Sequence, residues 1–305
     1  MAFIKTCTKD SFWPVKENSM IRLKIGGVPE HFNLPWKLAM EEGKFRDEDI
    51  HLHWEDMSGG TGQMIRGLGN KTLDVAVLLT EGISKAILQG LDAKILQIYV
   101  TSPLHWGIHV PFKSEIQTVD QLEGKTFAIS REGSGSHLMS YVLADQNGWN
   151  IDDLKFNIIG DIYGGLWSLE NNEAQAFLWE KYTTKPYTEQ EKCRYIDEVV
   201  TPWPCFAIAV RTEVLEEYGN DLNKICEIVN ARARALKINP DASEIISWRY
   251  GLKKQDVQKW LKETDWNYNG AEFRDDFSKT VEYLLKLRLI TENEANDFES
   301  KLFVK

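Results

Sequence analysis

The chain has 305 residues, enough for two modest lobes with cores of their own, and its 43% hydrophobic and 27% charged content is that of an ordinary globular protein. The formal net charge is −10, and no stripe of Lys and Arg offsets it, which argues against nucleic acid or an anionic membrane as the partner. Lys5, Lys9, Asp10, Lys16 and Glu17 interrupt the N-terminal stretch where a signal peptide would be apolar, and no later window approaches the length of a membrane span. The sequence therefore reads as cytoplasmic and not membrane-inserted. Met20 directly precedes the first strand, so a trimmed, secreted form stays open.

In chain order, Ile21 to Ile25 alternates apolar and charged residues and predicts a strand. Pro35 suits the first turn of a helix capped by Asn33 or Leu34, and Gly43 stops it. Ile50 to Trp54 is a second strand, and Met64, Ile65 and Leu68 follow at helical spacing. Leu73 to Leu79 is a continuous apolar run, as expected of a strand buried on both faces. A helix then runs through Ala86 and Leu88, and Lys94 to Val100 is another strand.

His105 to Val110 reads as a strand leaving the first unit, and Thr126 to Ser130 opens a second. Its helix spans about Ser136 to Gln146 and ends at Asn147-Gly148. Phe156 to Ile159, a helix near Gly165 to Asn171 and Ala174 to Trp179 continue the alternation. Pro202-Trp203-Pro204 is a break, after which Phe206 to Val210 predicts a returning strand. From Leu215 onward the chain is amphipathic helix, whose periodicity fits packing on the first lobe and self-association alike. This order is α/β with mainly parallel sheets.

Two turns stand out chemically. Ser58-Gly59-Gly60-Thr61-Gly62 and Ser130 followed by Ser134-Gly135-Ser136 each join a strand to a helix. A helix start has unpaired N–H groups and partial positive charge, and glycine admits a ligand close to the backbone. Together they suggest two lobes facing one small polar or anionic ligand.

The segments VPEHFNLPWKLAMEEGKF, LDVAVLLTEGISKAILQG, TVDQLEGKTFAISREGSGSHLMSYVLADQNGW and TEVLEEYGNDLNKICEIVNARARAL resemble the type II periplasmic-binding-protein fold. They are similar to the group holding aliphatic-sulfonate, taurine and nitrate binding proteins and the yeast-type thiamin-pyrimidine synthases. The resemblance runs from about Met20 to the C-terminus. It implies an α/β, two-lobed fold with a mostly parallel sheet in each lobe and a ligand cleft between them. Residues 1–19 would be an N-terminal extension, 20–104 with 208–305 lobe one, and 105–207 lobe two with the crossing strands.

The resemblance points to His31, Phe32 and Asn33, to Ser58, Gly59 and Thr61, to Thr80-Glu81, and to Thr101-Ser102 as ligand-binding positions. In lobe two it points to Ser130, Ser134, Gly135 and Ser136 and to Trp179-Glu180. Trp203 is either a cleft wall or a hinge packing residue. A carboxylate of Glu81 or Glu180 facing the cleft would repel a simple anion and suit an amine or ring N–H. The synthase branch implies a pyridoxal phosphate held by a lysine, with a donor histidine. Leu78 and Gly82 stand opposite those two residues, and of a cysteine-rich run only Cys205 is present.

His137 at a helix start reads as a surface histidine or a donor to an anion, Trp36 as core or a ligand wall, and His51 and His53 as a solvent-side pair lacking a third ligand. Cys7, Cys193, Cys205 and Cys226 are scattered and form no CxxC, so neither zinc nor a disulfide framework is indicated. The expected function is binding of a small anionic organic ligand, a sulfonate, carboxylate, phosphate or pyrimidine-like molecule, without catalysis, cofactor or metal. The alternatives are a synthase-like enzyme using pyridoxal phosphate and an exported substrate-binding protein of an ABC transporter.

Overall fold

A computed structural model describes residues 20–267 and 274–303; the extension 1–19, with Cys7, lies outside the described residues. The first unit runs β1 (Ile21–Gly27), α1 (Leu34–Glu41), β2 (Ile50–Asp56), α2 (Gly60–Gly69), β3 (Val75–Leu79), α3 (Thr80–Leu88) and β4 (Ala93–Val100). The second runs β5 (His105–Val110), β6 (Thr126–Ile129), α4 (Gly135–Gln146), β7 (Lys155–Ile158), α5 (Ile162–Glu170), β8 (Ala176–Glu180), α6 (Lys181–Glu189) and β9 (Arg194–Val200). The chain returns in β10 (Phe206–Arg211) and continues into α7 (Thr212–Ile238), α8 (Ala242–Tyr250), α9 (Lys254–Glu263) and α10 (Arg274–Lys286), then the short α11 (Glu292–Ala295) and α12 (Phe298–Leu302).

The strands form two five-stranded sheets, ordered β2-β1-β3-β10-β4 and β7-β6-β8-β5-β9. In the first, β10 runs antiparallel to both β3 and β4; in the second, β5 runs antiparallel to both β8 and β9. The remaining strands in each sheet share one direction, so each sheet is mostly parallel with one reversed strand. The reversed strand in each case is the first to enter after the chain changes sheets. The molecule has the α/β, two-lobed architecture of a type II periplasmic-binding-protein-like fold.

Position explains composition. Each residue of β3 is buried, as its unbroken apolar run requires at the centre of a sheet covered on both faces. The edge strand β2 alternates, with Ile50 and Leu52 inward and His51 and His53 exposed. Trp36 is fully buried in the main core, which is continuous through both sheets. Pro35 sits in the first turn of α1, and Gly43 at φ +76° follows its end.

The C-terminal helices pack on the first sheet's unit. Helix α7 covers α1 and β4, with non-helical backbone at Tyr218, and α10 packs on α3. Helix α9 also reaches α6 of the second unit. There Tyr182 donates to Glu263 at 2.6 Å, Lys253 pairs with Glu189 at 2.7 Å, and Lys185 pairs with Asp256. Among the described residues, no helix is long and apolar enough to cross a membrane.

Candidate functional site

Parallel strands deliver their following helix starts to one edge of a sheet, and ligands in open α/β folds sit at that edge. Here the edges of both sheets face each other. Helix α2 begins at the Ser58–Gly62 turn, where Gly60 takes φ +66°, and Thr61 Oγ1 accepts the Leu79 N–H at 3.2 Å. That bond ties the turn to the end of β3. Helix α4 begins with Ser134 as its cap, whose Oγ accepts the His137 N–H at 3.3 Å. Ser136 Oγ accepts the Ser130 N–H at 2.9 Å and lies 3.1 Å from Ser134 Oγ. The hydroxyls shape the turn, and the first-turn N–H groups of the helix have no intrahelical partner.

The two turns meet. A cavity of about 60 Å³ is lined by Gly59, Gly60 and Thr61 from the first unit and Ser130, Ser134, Gly135 and Ser136 from the second. Gly135 is required by this approach. A Cβ there would lie 2.5 Å from Leu79 Cδ1 and 2.6 Å from Trp106 Cη2. The turns are also joined directly, since the Arg131 guanidinium donates to the Gly59 carbonyl. Val28, Glu30, Gly60 and Trp179 line this cavity and a larger outer one of about 430 Å³. Aromatic side chains of Tyr163, Tyr187 and Tyr250 wall the outer space.

Two carboxyls face the inner cavity. Glu180 is 4% exposed, and its Oε2 accepts the Thr183 N–H at 2.6 Å, capping α6. Burial pushes its pKa from 4.5 to about 7, against the pull of the Thr183 N–H. Glu30 is raised to about 8, first by burial, then by the Glu180 charge, with a hydrogen bond from Trp179 opposing. Neither cavity is lined by a lysine or arginine among the described residues. Trp106 adds a buried indole N–H with no partner.

The remaining sequence-predicted positions divide by role. His31 is buried against Trp260, ring centroids 4.2 Å apart, and lines the outer cavity with Ser58; burial holds its imidazole down to about 3 and so neutral. Asn33 donates to the Val28 carbonyl at 2.8 Å and so shapes the loop that lines both cavities. Phe32 is core, packed 5.2 Å from Phe206, which does line the inner cavity. Thr80 is fully buried, and its N–H donates to the Cys205 carbonyl at 3.0 Å. Thr101 and Ser102 bind Asp265, whose carbonyl takes the Thr101 N–H at 2.8 Å and whose N–H goes to Ser102 Oγ at 3.1 Å.

Glu81 and Trp203 pair with each other. Trp203 is 2% exposed and its Nε1 donates to Glu81 Oε2 at 2.8 Å. Glu81 borders a crevice of only about 10 Å³ with Ser134, Gly135 and His137. Trp203 also meets Tyr283 edge-on, ring centroids 5.5 Å apart, and lines neither cavity. His137 Nδ1 accepts the Gly133 N–H at 2.9 Å, so this histidine closes its own turn.

Sequence reasoning missed Glu30, Trp106 and the outer tyrosines. Trp106 lies on a recognised strand, and Glu30 sits between Pro29 and His31 in a turn already singled out, so both had a local signal. Tyr250 reaches the site only through the tertiary placement of α8.

The synthase positions carry other chemistry. Leu78 is fully buried in β3, and Gly82 is packed so that a Cβ would lie 2.4 Å from Thr61 Cγ2. Neither supplies an amine or an imidazole, so the residues there do not fit a pyridoxal phosphate attachment. No group of three or more His, Cys, Asp or Glu among the described residues is placed to hold a metal. Cys193, Cys205 and Cys226 are buried free thiols.

Comparison with known proteins agrees with this architecture. A family model described as Ca3427-like PBP matches residues 106–199. The Candida albicans CA3427 gene product, described as defining a new family with the generic periplasmic binding protein fold, is 25% identical, with a TM-score of 0.86 over 93% of this chain and 96% of that one. The alkanesulfonate-binding protein SsuA of Xanthomonas axonopodis pv. citri, solved with MOPS, is 15% identical, with a TM-score of 0.75 over 89% and 95%. The periplasmic aliphatic sulphonate binding protein SsuA of Escherichia coli is 15% identical, with a TM-score of 0.69 over 93% and 97%. No curated protein matches the chain. With its sheet orders, its crossing strands and its facing helix starts, the chain is type II periplasmic-binding-protein-like, and its second sheet is similar to that of the Ca3427-like group.

Proposed function

We propose that the chain binds a small organic acid, a sulfonate, carboxylate, phosphate or pyrimidine-like molecule, in the cleft between its two sheets. The observation that carries this reading is the single cavity lined by the starts of α2 and α4 from opposite units. Two sets of first-turn N–H groups converge there with two helix dipoles of the same sign. The apolar part of the ligand rests on Trp179 and Phe206 and extends toward the tyrosines of the outer space. That volume suits a small molecule. Structural neighbours solved with MOPS and with methylphosphonate carry acidic ligands, which is consistent with an acid here. Approach of the two units around the ligand would complete its hydrogen bonds from both sides.

Ser134→Asp tests the placement. Asp is a good helix cap, so α4 keeps its start while a negative charge enters the anion position. Calorimetry against a panel of small sulfonates, carboxylates and phosphates should show the acid that binds the native chain binding at least roughly tenfold more weakly to the variant. Equal affinity would place the acid elsewhere.

A further inference from the structure

Three cations gather where the turn after β6 meets the first unit, and none of them lines either cleft cavity. Arg131, from the second unit, lies along the start of α2. A Cβ on Gly62 would sit 2.8 Å from Arg131 Cδ, and one on Gly59 would sit 3.1 Å from its Nη2. The glycines of that turn thus leave the room that the guanidinium occupies. Arg66 stands four residues beyond Gly62 in α2, on the same face, and is exposed. Lys85 of α3 reaches the same turn, since a Cβ on Gly133 would lie 3.6 Å from its Nζ.

The chain holds 46 acidic against 36 basic residues, and Arg211, Arg232 and Arg249 each pair with a carboxylate. Among the described residues, Arg66 and Arg131 have no such partner, and Arg131 Nη1 is buried without a hydrogen bond. The nearby acids are engaged elsewhere. Glu132 acts on His137 and Tyr141, and Glu81 holds the Trp203 indole. Glu294, which feels the Lys85 charge, is tied to the Thr291 N–H. Burial and the charge of Arg66 hold the Arg131 guanidinium below its ordinary value, but an arginine does not give up its proton. Glu30 and Glu180 can relieve their repulsion by protonation; two guanidiniums are relieved by a counter-ion instead. Guanidinium forks take oxyanions bidentately, and two of them suit a double charge. We propose that Arg66 and Arg131, with Lys85 beside them, bind a doubly charged oxyanion of the phosphate class at this seam, apart from the ligand in the cleft. One guanidinium comes from each unit, so the anion favours the contact between them.

The probe is inorganic phosphate, followed by calorimetry and by thermal shift at an ionic strength held constant with sodium chloride. The native chain should bind phosphate and melt higher in its presence. Arg66→Gln should bind it roughly tenfold more weakly, having lost one charge-assisted fork. Arg66→Glu should set a carboxylate against Arg131, melt above the native chain in the absence of phosphate, and show no rise with it. Both substitutions fall at an exposed position, and circular dichroism checks that the fold is kept. Equal phosphate affinity in the native chain and Arg66→Gln places the anion elsewhere, the cleft included; it overturns the seam site and leaves the acid reading of the cleft standing. Absence of phosphate binding by the native chain overturns the seam site as well, as does an Arg66→Glu protein that melts no higher than the native chain.

Discussion

The strands β3 and β8 occupy the same place in their sheets, third in each order, and each delivers a glutamate to the start of the helix that follows. The outcomes differ. In the first unit Glu81 is 1% exposed, receives the Trp203 indole N–H at 2.8 Å and borders a crevice of about 10 Å³. In the second, Glu180 caps its helix and faces the cavity shared with Glu30. Topology fixes where such a residue lies. The partner that fills its hydrogen bond decides whether it joins the two units or meets a ligand. Trp203 performs that closure because the Pro202–Pro204 break carries it to the boundary just before β10. In the second unit Trp106 of β5 is the register partner of Glu180, but its indole N–H has no partner, and the carboxyl stays open to the cleft.

The contrast can be broken by substitution, with the largest effect at the contact between units. Gly135→Val places a side chain where a Cβ already lies 2.5 Å from Leu79, and should cost about 3 kcal/mol by overpacking, read by urea unfolding. Glu81→Ala leaves the buried Trp203 N–H without an acceptor and should cost about 2 kcal/mol. Glu81→Gln keeps an acceptor and should restore most of that loss. In the second unit, Glu180→Ala removes a helix cap only, for about 1 kcal/mol. An equal cost for the two alanine variants would remove the distinction between them.

Acidity sharpens the same comparison. Burial raises Glu81 and Glu180 to about 7 and Glu30 to about 8, from 4.5. The folded chain therefore holds more protons than the unfolded one between these values, and stability falls as pH rises. His31, His109 and His137, held by burial at about 3, 4 and 4, oppose this only below their ordinary 6.5. From pH 6.5 to 8 the ligand-free melting temperature should thus drop, on the order of 5 °C. Glu30→Gln with Glu180→Gln should flatten most of that drop. A flat profile in the native chain would mean that these carboxyls are ionised and paired.

Much of the fold was legible because its signals are local. The apolar run Leu73–Leu79 marked a doubly covered strand, and the Ser/Gly turns marked both helix starts that line the cleft. What escaped was decided by partners distant in sequence. Helix α6 is polar, contains Pro186 and buries little beyond Tyr182 and Thr184, so it has no apolar stripe to read. Strand β9 is an edge strand in which Asp197 and Glu198 break the apolar pattern. At the site, Thr101 and Ser102 hold Asp265, a role invisible without the C-terminal segment in place. Glu30 shows the opposite limit: it stood in a turn marked for binding, but its importance depends on Glu180 lying opposite.

The central claim is that one acidic group is held where α2 and α4 meet. The direct measurement is a thermal-shift titration of native chain and Ser134→Asp side by side with the same sulfonates, carboxylates and phosphates. A ligand at a hundred times its Kd adds about 2.7 kcal/mol of stability, a readily visible shift. The account predicts that one acid class raises the melting temperature of the native chain and has little effect on the variant. The same rise in both proteins would contradict it.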